Sequence, residues 1–479
     1  MALDQARLHR ALNPATVAVV GDKGPNYMWL SGLSAFTGRK FSVQLDEKEI
    51  PGIEAKGIQN FRSLLDVPGE VDLVICAVPR GAAMYVVADA VKKGVGGITM
   101  FTSGFAETGD PQAAALQLKL ADFCREAGLP LVGPNCMGVY NRRLGVKFGQ
   151  GQEHGDEGGD VSIVSQSGTH GSGMTIGAQR LGLRVARTIS IGNAAVLNEC
   201  DYLEYLAADP DTSAILMYLE GIRDGRRFAP LLRETVKHKP VIIWRGGRSA
   251  AGARAVQSHT ASLASDDAVW DALLRQAGVI AADSQDDALD ALAALVRTPP
   301  SAKRNLALVA SAGGQSVAIA DQFGRAGFEV PALSQRSYDQ FDKFFNAVGQ
   351  SYRNPFDAAA TIGRDTENMA KIFDILADDD AVDGGAVIEI AWRGMDDAFL
   401  TLDRQLAVIR SYQQRTGRPV IIVLPGGGGG SDGEEIGVRA RTHVAAAGFA
   451  VYPTFARAAI ALGRVVAFHA ERAAGRSVR

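Results

Sequence analysis

One segment of the sequence gathers residues that could handle phosphate chemistry. Residues 245–264 follow an apolar, strand-like run and place three arginines ahead of His259, which stands between two hydroxyl residues. Imidazole is a competent nucleophile toward phosphorus, and a Gly-containing loop could carry a phosphorylated imidazole from one site to another. By composition alone a merely solvated histidine is the commoner case, so this segment by itself leaves both interpretations open.

Three Gly-containing turns could hold an anion. The turns at 21–24, 165–168 and 311–314 each follow an apolar run and precede a helix-like stretch. Free N–H groups at a helix start stabilise negative charge, and serine hydroxyls add further donors. A plain strand-to-helix turn explains any single one equally well. Because none has the GxxxxGK[ST] or GxGxxG spacing, neither a P-loop nor a nicotinamide site is indicated.

The elements that position these turns repeat one unit, namely a β-branched apolar run, a turn and a helical stretch. Runs such as 17–20, 71–78 and 161–164 are continuously apolar rather than alternating. Continuous runs are typical of parallel strands covered on both faces, so the sequence predicts an α/β fold. Ligands are then expected at the carboxyl ends of the strands.

Two breaks divide the chain into predicted domains. The first is the polar, Gly-rich stretch 149–160, and the second is Thr298-Pro299-Pro300-Ser301, where two prolines disfavour a helix. The predicted domains are therefore 1–148, 160–297 and 302–479.

Composition excludes several classes of protein. Fifty Lys and Arg against 53 Asp and Glu in 479 residues give a net charge of −3, which offers no general field for nucleic acid or an anionic membrane. The apolar runs are short, and no signal core opens the sequence, so we expect a cytoplasmic protein. The four cysteines have no CxxC or Cys/His spacing, so neither a disulfide framework nor a metal site is predicted.

Ordered motifs along nearly the whole chain resemble the NDP-forming acyl-CoA synthetases, relatives of succinyl-CoA synthetase. The most specific is Ser258-His259-Thr260-Ala261-Ser262-Leu263-Ala264, which looks like the family's phosphohistidine segment. The others, in order, are Gly133-Pro134-Asn135-Cys136, Val164-Ser165-Gln166-Ser167-Gly168, Ser190-Ile191-Gly192-Asn193, Tyr218-Leu219-Glu220-Gly221-Ile222 and Asn354-Pro355-Phe356-Asp357. The resemblance implies a Rossmann-like CoA-binding domain followed by two flavodoxin-like CoA-ligase domains.

The same resemblance assigns expected roles. His259 would be transiently phosphorylated, and Glu220 would orient it by keeping Nδ1 protonated so that Nε2 can attack. The residues expected near CoA are Gly21, Lys23, Val78, Pro79, Ser103 and Asn135. Those expected to hold phosphate at helix starts are Ser165, Gln166, Ser167, Gly168, Gly313 and Gly314.

Three departures from the family pattern stand out. The usual Gly-Ala-Ser turn is Gly21-Asp22-Lys23-Gly24 here, and Asp22 would repel a CoA phosphate unless Lys23 offsets it. The family's Asn-Ala-Gly-Gly-Pro-Gly is Ser311-Ala312-Gly313-Gly314-Gln315-Ser316, and Ala261 replaces a common glycine after His259-Thr260.

No ATP-grasp module follows Pro300 in the sequence, so the chain resembles an α subunit. ATP or ADP and Mg²⁺ would then be bound by an ATP-grasp β subunit in a hetero-oligomer, and the substrate would be a carboxylic acid or its acyl-CoA. Two alternatives stay open: a CoA- or acyl-CoA-binding regulatory protein, and a nucleotide-independent acyl transferase or lyase.

Overall fold

The computed structural model describes residues 4–155, 157–260, 267–345, 348–362, 366–391, 398–426 and 432–474. Within these ranges the side chains of 257–260, 359–360, 398 and 432 lie outside the description. The described residues form three α/β layers, each built on its own sheet, which confirms the predicted fold class.

The first sheet has six parallel strands in the order β3-β2-β1-β4-β5-β6. Its strands are β1 Thr16–Val20, β2 Arg39–Val43, β3 Asn60–Phe61, β4 Leu73–Cys76, β5 Gly97–Met100 and β6 Leu131–Val132. The helices around it are α1 Gln5–Leu12, α2 Met28–Gly32, α3 Ile50–Glu54, α4 Ala83–Lys93 and α5 Pro111–Glu126, with 3₁₀ turns at Leu64–Asp66, Arg80–Ala82 and Ala106–Thr108.

The second sheet has six strands in the order β12-β11-β10-β8-β9-β7. They are β7 Gly138–Asn141, β8 Val161–Ser165, β9 Val185–Ser190, β10 Ala214–Leu219, β11 Val241–Arg245 and β12 Ile280–Ala282. The accompanying helices are α6 Gly168–Arg180, α7 Glu199–Ala208, α8 Gly225–His238, α9 Ala250–Thr260 and α10 Asp267–Ala277. The edge strand β7 runs antiparallel to β9 in the second sheet, although its residues lie within the first predicted domain, 1–148.

The third sheet has five parallel strands in the order β14-β13-β15-β16-β17. They are β13 Ala307–Ala310, β14 Phe356–Asp357, β15 Ala386–Glu389, β16 Val420–Val423 and β17 Val451–Tyr452. The helices are α11 Gln285–Arg297, α12 Gly313–Arg325, α13 Gln335–Phe341, α14 Ala359–Ile362, α15 Thr366–Ala377, α16 Ala398–Thr416, α17 Asp432–Ala446 and α18 Phe455–Ala473, with a 3₁₀ turn at Asp380–Val382.

The central strands are buried along their whole length, and are mostly apolar, because helices cover both faces of each sheet. Every residue of β1, β4, β8, β10 and β16 is buried. Such strands lose no side chain to solvent, which accounts for the continuous rather than alternating runs in the sequence. Their carboxyl ends are therefore the places where polar side chains can collect.

The chain packs into two compact units. One holds the first two sheets and extends to Gln285, apart from Arg180–Gly182; the other holds those three residues and everything from Asp286 onward. Helix α11 thus packs with the third sheet. Its Asp290 accepts hydrogen bonds from Arg457 Nε at 2.6 Å and Nη2 at 2.9 Å, and Asp287 pairs with Arg464 at 2.7 Å. The domain bounds 1–148, 160–297 and 302–479 stay predictions.

Candidate active site

A cleft of about 440 Å³ opens at the carboxyl edge of the first sheet, after β1, β4 and β5. Five of the six residues predicted to lie near CoA line it: Gly21, Lys23, Val78, Pro79 and Ser103. Gly21 has a φ of +85°, and a Cβ there would lie 2.6 Å from Cγ1 of Val78. Only glycine lets the β1 and β4 loops approach this closely, so the cleft depends on it.

Sequence reasoning missed half of the cleft wall. Met28, Trp29, Arg80, Phe101 and Thr102 also line it, and the Trp29 and Phe101 rings pack with centroids 5.1 Å apart. The Arg80 guanidinium donates to the carbonyl of Gly104. The cleft therefore combines an apolar aromatic surface with two cationic side chains, Lys23 and Arg80, a pairing suited to a long, anionic ligand.

Asp22 lines the same cleft, but its carboxylate accepts hydrogen bonds from backbone amides. The residue is buried, and Oδ2 accepts the amides of Trp29 at 3.0 Å and Leu30 at 2.8 Å. Oδ1 accepts the amide of Lys23 at 3.0 Å. Burial raises the pKa of Asp22, and the backbone hydrogen bonds oppose that rise. Asp22 therefore fixes the first turn of α2.

The sixth predicted residue, Asn135, lies in a polar network between the first two sheets. Asn135 adopts a φ of +56° and donates through Nδ2 to Oδ1 of Asn193 at 3.3 Å. Asn193, which is 1% exposed, donates in turn to Glu107 Oε2 at 2.5 Å and Gln117 Oε1 at 2.8 Å. The other carboxylate oxygen of Glu107 accepts the amide of Gly104 at 2.5 Å. This network joins the cleft loop to the β9–α7 loop.

The predicted phosphate loop connects β8 to α6. Ser167 caps the helix, since its Oγ accepts the amide of His170 at 3.3 Å, and Ser165 Oγ donates to the carbonyl of Ser167 at 2.6 Å. Among the described residues, the amides of Gly168 and Thr169 have no acceptor. Two free N–H groups at the start of a 13-residue helix favour an anion at this point.

Unlike the neighbouring serines, Gln166 makes its side-chain hydrogen bonds to the backbone after β10. Its Oε1 accepts the amides of Glu220 at 2.5 Å and Gly221 at 3.1 Å, and its Nε2 donates to the carbonyl of Gly221 at 2.9 Å. The side chain is buried and engaged with the end of β10. Gln166 therefore ties the phosphate loop to Glu220, and a direct contact of Gln166 with phosphate stays a prediction.

Glu220, at the end of β10, has one fixed and one unsatisfied carboxylate oxygen. Oε1 accepts the hydroxyl of Tyr218 at 3.1 Å, whereas Oε2 is buried and accepts no hydrogen bond from the described residues. Burial and then the charge of Glu220 raise the pKa of Tyr218, so the phenol stays a donor at neutral pH. A buried, unpaired carboxylate oxygen is costly and suits a site where another donor arrives.

Three aromatic rings pack beside this carboxylate. The ring centroid of His170 lies 4.5 Å from that of Tyr218 and 4.5 Å from that of Trp244. The centroids of Tyr218 and Trp244 are 4.4 Å apart. We call these residues the aromatic cluster. Gly246 makes room for it, because a Cβ there would lie 2.5 Å from the Tyr218 hydroxyl and 3.3 Å from Cγ of Glu220.

The backbone of His259 lies near the end of α9, while its side chain lies outside the described residues. Helix α9 contacts the 3₁₀ turn Ala106–Thr108, whose Glu107 supports the cleft loop. The helix that carries the predicted phosphohistidine thus lies against the layer that forms the cleft. The predicted pairing of His259 with Glu220 stays a prediction.

The third predicted anion site lies in the second unit, at the start of α12. Ser311 donates to Oε2 of Glu389 through its amide at 2.9 Å and through Oγ at 2.6 Å. A Cβ on Gly313 would lie 3.1 Å from Oδ2 of Asp357, and nothing lies within 4 Å of one on Gly314. Two carboxylates already border this turn and would repel phosphate, so binding by Gly313 and Gly314 stays a prediction with electrostatics against it.

Within the described ranges, no group of three or more metal-ligating side chains is present. In that same part of the chain, no helix is both long and apolar enough to cross a bilayer.

Comparisons with known proteins place this chain in a family. The sequence model described as a CoA binding domain matches residues 15–142, and the one described as a succinyl-CoA ligase-like flavodoxin domain matches 158–295. The chain is 31% identical over 424 residues to the alpha subunit of acetate–CoA ligase (ADP-forming) II from Pyrococcus furiosus, covering 87% of this chain and 89% of that one.

Two further relatives differ in extent. Acetate–CoA ligase (ADP-forming) I from Archaeoglobus fulgidus is 30% identical over 434 residues, which are 90% of this chain and 60% of that protein. The solved structure of dinucleotide-forming acetyl-coenzyme A synthetase 1 from Ca. Korarchaeum cryptofilum, with phosphate and ADP, superposes with a TM-score of 0.81 at 26% identity over 97% of both chains. The resemblance is confirmed: this chain belongs to the ADP-forming acyl-CoA ligases, acid–thiol ligases related to succinyl-CoA ligase.

Proposed function

We propose that the chain is the α-type subunit of an ADP-forming acyl-CoA ligase that joins a carboxylic acid to CoA through an acyl phosphate and phospho-His259. The observation that carries this proposal is the hydrogen bonding of the two carboxylate oxygens of Glu220. One of its oxygens is fixed by Tyr218, while the other is buried and unpaired among the described residues. An imidazole N–H donor would satisfy that oxygen, and in doing so would leave the opposite ring nitrogen free to attack phosphorus.

In the direction from acyl-CoA, the proposed reaction has two steps. Phosphate held at the amides of Gly168 and Thr169 attacks the thioester carbonyl, the C–S bond breaks, and CoA leaves as the thiolate. Nε2 of His259 then attacks the phosphorus of the acyl phosphate, and the carboxylate leaves. Glu220 stabilises the cationic ring that results. Acyl-CoA formation is the reverse of these steps.

The cleft of the first sheet is the proposed CoA site. Its shape depends on Gly21, and Lys23 and Arg80 supply positive charge for the phosphates of CoA. The buried carboxylate of Asp22 is occupied by three backbone amides, so the repulsion expected from the sequence is reduced. Val78, Pro79 and Ser103 line the remaining wall, and Asn135 acts indirectly through Asn193 and Glu107.

We further propose that ATP or ADP and Mg²⁺ bind to a separate ATP-grasp β subunit. The relative from Pyrococcus furiosus is named a subunit alpha and has nearly the length of the match, whereas the match covers 60% of the Archaeoglobus relative, whose name mentions no subunit. The longer protein has room for a module that this chain would receive from a partner. The cytoplasm is the proposed location of the complex.

Phosphoryl transfer to the isolated chain tests the proposal without a nucleotide. Incubation with ³²P-phosphate and a panel of acyl-CoA thioesters, from acetyl-CoA to aryl-CoA, should produce an acid-labile, base-stable label. The label should disappear in His259→Asn and persist in His238→Asn, a matched change at an exposed histidine on α8. An unlabelled wild type with every thioester, or full labelling of His259→Asn, would favour the regulatory or transferase alternatives.

A further inference from the structure

His170 is a second histidine at the phosphate loop, and the proposed chemistry leaves it unused. It lies in the first turn of α6, directly after the amides of Gly168 and Thr169, which have no acceptor in the part of the chain that the structure describes. Its own amide is bonded to Ser167 Oγ at 3.3 Å, so its backbone is fixed by the helix cap. The side chain is half-buried, and its ring nitrogens have no hydrogen-bond partner among the described residues.

The position of the ring is set by aromatic packing. Tyr218 and Trp244 are direct neighbours on β10 and β11, and Tyr218 is also the partner of Ser165 on β8. Paired residues of adjacent strands share a face of the sheet, so both rings lie on the side where α6 crosses. The His170 ring packs against both at 4.5 Å, which restricts its rotamers.

Tyr218 connects His170 to the candidate catalytic carboxylate. Its ring contacts the imidazole while its hydroxyl donates to Glu220, so His170, Tyr218 and Glu220 form one packed group. Because the charge of Glu220 would oppose the binding of phosphate at this loop, a further side-chain donor would help to hold the anion. An imidazole carries at least one N–H donor in either protonation state.

We propose that His170 is a binding residue for the phosphoryl group, donating a ring N–H to an oxygen of phosphate or acyl phosphate held at the start of α6. This inference rests on the proposed function and adds a side-chain donor to its phosphate site. It assigns the aromatic cluster the role of holding the donor in place. A hydrogen bond to a charged group contributes enough that its loss should weaken phosphate binding roughly 10- to 100-fold.

Binding of inorganic phosphate to the full chain tests the proposal, with ³¹P relaxation as the readout. His170→Phe keeps a ring against Tyr218 and Trp244 but has no N–H, and should weaken binding by the stated factor. His170→Asn restores a donor and should recover part of the affinity. His238→Phe is the control outside the site, and CoA affinity reports whether each variant is folded. In the labelling reaction, His170→Phe should raise the phosphate KM while the rate recovers at saturating phosphate.

The outcomes distinguish a failure of this inference from a failure of the proposed function on which it rests. If His170→Phe binds phosphate within twofold of wild type while Ser167→Ala binds weakly, the loop holds phosphate without His170 and this inference is wrong. If neither substitution changes the affinity, the ion binds elsewhere and the inference is again overturned. If wild type binds no phosphate, the phosphate site itself is refuted, and the proposed function fails with it.

Discussion

Oε2 of Glu107 accepts the side-chain amide of Asn193 at 2.5 Å, which ties the β9–α7 loop to the turn that supports the cleft of the first sheet. The other oxygen of Glu107 accepts the amides of Gly104 and Phe105 next to Ser103. A single carboxylate therefore accepts hydrogen bonds from both the cleft loop after β5 and the β9–α7 loop. The amide that joins the two loops is buried.

Asn193→Asp should test this connection. The substitution places a second carboxylate against Glu107, and we expect repulsion to loosen the cleft loop. CoA affinity, measured by isothermal titration, should fall several-fold and the midpoint of thermal unfolding should drop. Gln112→Glu adds the same charge at an exposed position on α5 and should change neither. Equal CoA affinity in Asn193→Asp and wild type would contradict a coupled cleft.

Glu220→Gln should slow labelling of His259 without abolishing it. Gln keeps the volume but can present an N–H instead of an acceptor, so orientation of the imidazole and stabilisation of its cation are lost. Loss of the equivalent carboxylate in a catalytic triad costs up to ~10⁴-fold in rate. A quench-flow time course should show a reduced rate before any reduction in end-point label. Glu234→Gln on the exposed face of α8 is the control, and an unchanged rate in Glu220→Gln would exclude an orienting role.

Gly246→Ala should displace Glu220, mainly through Tyr218. The new methyl group would lie 2.5 Å from the Tyr218 hydroxyl, so Tyr218 has to move and its hydrogen bond to Glu220 is lost. We expect a destabilisation of about 1–3 kcal/mol and slower labelling. Gly225→Ala, where a Cβ meets nothing within 4 Å, is the matched control. Denaturant titration and the labelling rate measure both effects, and a wild-type rate in Gly246→Ala would show that Tyr218 does not hold Glu220 for catalysis.

Asp22→Ala should destabilise the first layer and widen the cleft. Three backbone amides lose their acceptor, two of them at the start of α2, and unsatisfied buried donors cost about 1–3 kcal/mol. CoA affinity should decrease even though a negative charge has been removed. A stronger affinity would instead mean that Asp22 repels the cofactor, as the sequence suggested. Asp122→Ala, at an exposed ion pair on α5, controls for loss of a carboxylate.

The four cysteines should resist alkylation in the folded protein. All are free and buried, and burial raises the pKa of Cys76 to about 11 and of Cys124, Cys136 and Cys200 to about 12. At pH 8 the thiolate fraction of Cys76 is then roughly 1 in 1000 and that of the others lower still. Because these pKa values are raised, reactivity should increase with pH well above 8. Ellman's reagent should detect all four thiols promptly only after denaturation.

The alternation of strands and helices was predictable because strands that are buried on both faces appear in the sequence as continuous, mostly apolar runs. The turns after β1, β4 and β5 could be placed at one edge for the same reason, and five of the proposed CoA residues do share one cleft. Arg80, which follows Pro79 after β4, had the same positional signal and could have been included. The aromatic wall could not, since Trp29 and Phe101 are distant in sequence and look like ordinary core residues.

Contacts between distant loops account for the remaining differences. The sequence indicated that Asp22 would repel a CoA phosphate unless Lys23 offsets it, and this stays a prediction. The backbone role of Asp22 was not predictable, because two of its three amide donors lie seven and eight residues later, beyond the usual capping distance. The role of Gln166 depends on β10 lying beside β8, which local patterning does not reveal. The short strand β7 pairs antiparallel with a strand about 50 residues away, and nothing in its four residues indicates the layer it joins.

The packing of α11 determines where the chain could be divided in evolution or by a protease. The Pro-Pro break follows this helix, but Asp287 and Asp290 on it pair with Arg464 and Arg457 of α18. A cut at Pro300 would leave four charged partners separated and the apolar face of α11 exposed. A cut near Gln285 keeps them together, so the C-terminal two-fifths of the chain should fold as an autonomous segment only when that segment begins with α11.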